Sequence, residues 1–140
     1  MAIQSPKSLV DFGERLEREC SAIGQSRPRL SSAVLTCRAA RKLIPMPIAA
    51  ALFSAAQILV RCAYESVEPE PGGRIGVAFY ETEHMLELVV EHSHSICSDA
   101  MSEDRDGSAL LRQAVALAGG HFQAQEVIGG CRWVVAIPTA

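Results

Sequence analysis

The chain has no excess of basic residues, no close pair of cysteines, no apolar leader and no unbroken run long enough for a membrane, and each absence removes a class of function. Thirteen Lys and Arg residues stand against sixteen Asp and Glu, a net charge of -3, and the cations are scattered rather than striped along one face. Such a surface lacks the positive footprint that neutralises phosphates, so nucleic acid is not expected as a partner. Five cysteines, Cys20, Cys37, Cys62, Cys97 and Cys131, are odd in number and dispersed, with no C-x-x-C spacing to chelate a metal or shuttle a disulfide. Buried free thiols in a reducing cytosol are the expectation. The start, "MAIQSPKSLVDFGE", shows no apolar core of signal-peptide length behind a basic segment, so a secretory leader is not expected. The longest apolar run, "IPMPIAAALFSAAQILV", holds two prolines and a Ser-Gln interruption and ends at Arg61. It reads as a buried helix, too short and too broken to span a bilayer, and a cytoplasmic location is expected.

What is present is ordinary for one globular domain over residues 1–140: 49% hydrophobic and 21% charged residues. A chain of that length buries about two-thirds of its unfolded surface without staples. Segment 7–23 places Leu9, Phe12, Leu16, Cys20 and Ile23 at steps of three and four, which predicts an amphipathic helix stopped by Gly24. "LSSAVLTC" alternates Ala33, Leu35 and Cys37 against Ser32, Val34 and Thr36, the pattern of a half-buried strand. "MPIAAALFSAAQILVRCAYES" is a central helix with Pro47 in its first turn, where the missing N–H costs nothing.

"RIGVAFYE" and "HMLELVVE" predict a strand pair, and residues 92–106 a long loop rich in Ser and Asp. "GSALLRQAVALAGG" predicts a helix with Leu110, Leu111, Val115 and Leu117 as apolar positions, closed by Gly119 and Gly120. A last hairpin turns at Gly129 and Gly130. Because the strands come as hairpins rather than singly between helices, the fold class is α+β, a two-layer sandwich.

This order, together with "GGRIGVAF", "LELVVE", the glycine-led helix and the final "GGCRWVVAIP", resembles the ATP-binding catalytic domain of sensor histidine kinases, the GHKL or Bergerat fold. The likeness covers about residues 7–138 and implies a mixed, largely antiparallel sheet with helices on one face. Its phosphoacceptor helical hairpin would precede residue 7, and the chain does not contain it.

The resemblance also implies where a nucleotide site belongs, and there this sequence departs from the family. The magnesium-binding Asn of the central helix falls at Cys62, its preceding Glu at Ile58 and the following basic positions at Glu65 and Ser66. A thiol is a poor ligand for a hard cation that prefers oxygen. The D-x-G-x-G box after the second hairpin strand, whose Asp accepts from the adenine amino group, reads His92, His94 and Ile96. In the G-x-G box that holds phosphate at a helix N-terminus, Arg105 replaces the first glycine and Gly107 keeps the second. The Thr of the last G-G-T-R-F-like motif is Cys131.

The implied function is a degenerate histidine-kinase-like domain of bacterial two-component signalling, without productive ATP binding and without a cofactor. Its expected partners are a response-regulator receiver domain or a kinase helical hairpin. Two other readings stand beside it. One is a divergent but active kinase domain that binds ATP and magnesium, with Glu91 or Asp99 for adenine and Arg105 for phosphate. The other is a metal sensor using His92, His94 and Cys97, ligand types that suit zinc but lack an evident fourth member.

Overall fold

The computed structural model describes residues 8–26, 34–67, 72–93 and 106–139. Strand β1 (Leu9–Asp11) leads into helix α1 (Phe12–Ser26), followed by β2 (Val34–Ala39), β3 (Leu43–Pro45) and the central helix α2 (Met46–Val67). Then come β4 (Arg74–Thr82), β5 (Met85–His92), α3 (Asp106–Leu117), β6 (His121–Val127) and β7 (Gly130–Pro138). The five-stranded sheet runs β2-β4-β5-β7-β6; β2 is parallel to β4 and every other neighbour pair is antiparallel. The parallel pair requires the crossover that β3 and α2 supply.

The alternating pattern of the strands decides which face is buried. Ile75, Val77 and Phe79 of β4, Leu86, Leu88 and Val90 of β5, and Trp133, Val135 and Ile137 of β7 form one core with α2. Their neighbours in sequence line the open face of the sheet. From α2 the buried set includes Leu52, Ala56, Leu59, Ala63 and Val67, at helical spacing. At 22 residues α2 runs one residue past the expected helix, with Pro47 in its first turn as expected, and it is long and apolar enough, by length and composition, to cross a membrane, which corrects the expectation that its apolar run is too short and too broken for that. Here the sheet takes up its apolar face, and it is the core helix of the domain.

Four local expectations are corrected. Helix α1 begins at Phe12 rather than residue 7, because Asp11 caps it by accepting the Glu14 N–H at 3.1 Å, and Leu9–Asp11 instead pairs antiparallel with the unforeseen β3. Gly24 does not stop α1, which runs on to Ser26. In α3, Leu111 and Val115 are buried, whereas Leu110 and Leu117 point to solvent, since only the first pair shares the core-facing stripe. The last hairpin turns at Ile128 and Gly129, not at Gly129 and Gly130; Gly129 adopts a φ of 79°, and Gly130 is already paired in β7.

Candidate functional site

The residues that the sequence assigned to a nucleotide site come from the C-terminal half of α2, the end of β5, the start of β7 and the start of α3. On α2, helical spacing turns Cys62 into the core, where it is 5% exposed and not in a disulfide, and leaves Ile58 packed against the same core. Glu65 faces solvent. Ser66 is half-buried, and its hydroxyl donates back to the Cys62 carbonyl at 2.9 Å, a bond that holds the side chain against its own helix.

On the strands, pairing register does the positioning. His92 stands opposite Cys131 across the β5–β7 ladder and opposite Ile75 across the β4–β5 ladder. Its parity places the imidazole on the helix-facing side, where it is 3% exposed and lies edge to face with Trp133, centroids 4.8 Å apart. Gly130 lets β7 begin against the His92 carbonyl, since a Cβ there would collide with that oxygen. Trp133 is fully buried, and its indole Nε1 has no hydrogen-bond partner among the described residues.

Cys131 is fully buried and disulfide-bonded, which corrects the expectation that every cysteine is a free thiol. The other described cysteines, Cys20, Cys37 and Cys62, are not disulfide-bonded, and the partner of Cys131 lies outside the described residues. Composition could not reveal this bond, because proximity of two sulfurs is a property of the fold and not of sequence spacing.

Of the remaining assigned positions, His94, Ile96, Cys97, Asp99 and Arg105 lie outside the described residues, and Gly107 belongs to the first turn of α3. Among the described residues no group of three His, Cys, Asp or Glu side chains comes together as a metal site. Strand parity turns the Glu91 side chain to the opposite face of the sheet from that of His92. The Glu91 carboxylate is on the open face of the sheet and accepts from Arg132 Nε at 2.5 Å.

That open face carries cavities of its own. One of about 310 Å³ is lined by Thr36, Arg74, Glu91, Ser93 and Gly129, and another of about 440 Å³ by Tyr80, Glu87, Gln123 and Arg132. Burial, followed by the nearby Glu87 charge, raises the Tyr80 phenol above its ordinary value, so it stays a neutral donor. Sequence reading overlooked this face because its residues belong to no recognised motif.

No protein-family model matches the chain, and neither does any curated protein. Solved structures do match. Against the histidine kinase domain of a blue-light-activated histidine kinase from Erythrobacter litoralis EL346 the TM-score is 0.84 at 20% identity, over 96% of this chain and 70% of the other. Against the mycobacterial sensor histidine kinase MprB it is 0.71 at 18% identity, over 95% and 97%. Against the histidine kinase ThkA, in complex with the response regulator protein TrrA, it is 0.74 at 14% identity, over 95% of this chain but 42% of that one. These likenesses establish a fold, and it is the one carried by the catalytic domains of histidine kinases.

Proposed function

We propose, on the premise of that histidine kinase catalytic fold, that the chain is a degenerate kinase-like module of two-component signalling. It has lost productive ATP binding and acts in the cytoplasm through contacts with a response-regulator receiver domain or a kinase helical hairpin. The observation that carries this reading is the environment of His92. A carboxylate at that position would offer an acceptor to the adenine amino group, whereas this imidazole is buried and turned edge-on to Trp133.

ATP and magnesium do not fit the residues present. Cys62 offers a buried thiol where a hard cation needs an exposed oxygen, and Cys131, beside His92 in the ladder, is tied up in a disulfide. Glu91, the substitute acceptor, faces the other way. The ThkA–TrrA complex lends support to a receiver partner, since a protein of this fold assembles with a response regulator there. The test is phosphotransfer. Incubated with a kinase helical hairpin, magnesium and radiolabelled ATP, the protein should leave the hairpin histidine unlabelled; label on that histidine would overturn the proposal.

A further inference from the structure

Away from the His92 cluster, Cys20 of α1 and Cys37 of β2 meet across the contact between the helix and the edge strand. Cys20 continues the stripe of Phe12 and Leu16 at steps of four, which turns it inward, and Cys37 lies on the helix-facing side of β2 between Leu35 and Ala39. The two thiols are close enough to perturb each other's ionisation, and neither is in a disulfide. Both line a cavity of about 440 Å³ together with Glu17, Ser21, Gln25 and Leu35. Cys20 is 4% exposed while Cys37 is half-buried, so a small polar solute entering the cavity reaches Cys37 first.

The pair is chemically unequal. Donation of its S–H to Cys37, then burial, then the charges of Cys37, Glu19 and Glu17 hold Cys20 protonated. The Cys37 thiol is lowered from its ordinary value because its thiolate accepts that hydrogen bond, a gain that outweighs burial and the Glu17 charge. A half-buried thiol whose ionisation is favoured, beside a buried thiol held protonated, is the arrangement that two-step thiol oxidation needs.

We propose that Cys20 and Cys37 form an oxidation site, which a hydroperoxide converts to a disulfide with Cys37 attacking and Cys20 resolving. The Cys37 thiolate attacks one peroxide oxygen, the O–O bond breaks, and hydroxide leaves with a sulfenic acid formed on Cys37. The Cys20 sulfur then attacks the Cys37 sulfur, the S–O bond breaks, and water leaves with the proton from Cys20. Two thiols lose two electrons; the leaving hydroxide, or the alkoxide of an organic hydroperoxide, takes up the proton that Cys37 gave up on ionising, so the peroxide ends as two waters, or as water and an alcohol. The new bond closes the segment between the two cysteines into a ring that locks α1 to β2, restricting the unfolded chain more than the folded one.

The experiment treats the whole protein, with the Cys131 disulfide intact, with hydrogen peroxide and maps the product by non-reducing proteolysis and mass spectrometry. The expected product is one peptide pair joined through Cys20 and Cys37, two hydrogens lighter than its parts, with a Tm higher by roughly 10 °C. In Cys20→Ser, a sulfenic acid on Cys37 should be trapped by dimedone; in Cys37→Ser, Cys20 should stay unmodified. If the wild-type protein gives no Cys20–Cys37 peptide, or if Cys20 is oxidised in Cys37→Ser as fast as Cys37 is in Cys20→Ser, the proposal is overturned.

Discussion

The rings of His92 and Trp133 lie edge to face, 4.8 Å between centroids and 60° between planes, on the helix-facing side of two neighbouring strands. His92 pairs with Cys131 and Trp133 with Val90, so the two rings meet along the diagonal of one antiparallel ladder. That contact makes His92 part of the hydrophobic core, and stability should respond to its replacement.

Trp133 is the only tryptophan and is fully buried. Trp133→Ala should destabilise the domain by about 3–5 kcal/mol, the cost of an emptied aromatic site. Trp133→Phe should cost clearly less, since the indole N–H it removes has no partner among the described residues. Urea unfolding followed by circular dichroism checks both variants, and equal losses would contradict the ring-packing account.

His92→Asp puts a carboxylate in a place now nearly closed to water. Burying that charge against an indole should cost on the order of 3 kcal/mol, and it should not create ATP binding because Cys62 and Cys131 are unchanged. Thermal melts with and without ATP and magnesium measure both effects. A melt that rises with ATP in this variant would show that the cleft needs only its carboxylate.

Reducing the Cys131 disulfide should lower stability by about 2–4 kcal/mol, the usual contribution of a native cross-link. Alkylation of denatured, unreduced protein should label Cys20, Cys37 and Cys62 and leave Cys131 unlabelled. Labelling of Cys131 without reductant would mean that the bond is not part of the native protein.

The Glu91–Arg132 pair is short at 2.5 Å, but the side chains are 44% and 42% exposed. Solvent and salt screen such a pair, so Arg132→Ala should change stability by less than about 1 kcal/mol, and the difference should shrink at high ionic strength. A salt series of denaturation curves checks this. A loss of several kcal/mol that persists in high salt would show that the pair is far better shielded than its exposure implies.

Much of the fold was legible in the sequence because its periodicities are local. Pro47 and the alanine-rich run after it marked α2, and the alternation in β4 and β5 marked a strand pair. What escaped depends on contacts between distant segments. β1 and β3 are three residues each and exist by pairing with one another, so neither carries a readable period of its own. Leu110 and Leu117 look like core residues in a hydrophobic pattern, but the orientation of α3 exposes them. For the site, local chemistry alone suggested a metal loop at residues 92–97, and only the family likeness gave His92, Cys62 and Cys131 a shared meaning. The ladder then placed His92 and Cys131 opposite one another, while the disulfide of Cys131 and the outward aim of Glu91 needed the folded chain.

The central claim is that a kinase fold persists here without its nucleotide. Isothermal titration of the purified protein with ATP and magnesium tests it most directly. The account predicts no binding tighter than a Kd of about 10⁻⁴ M, equivalent to roughly 5.5 kcal/mol, and a stoichiometric titration with a lower Kd would contradict it.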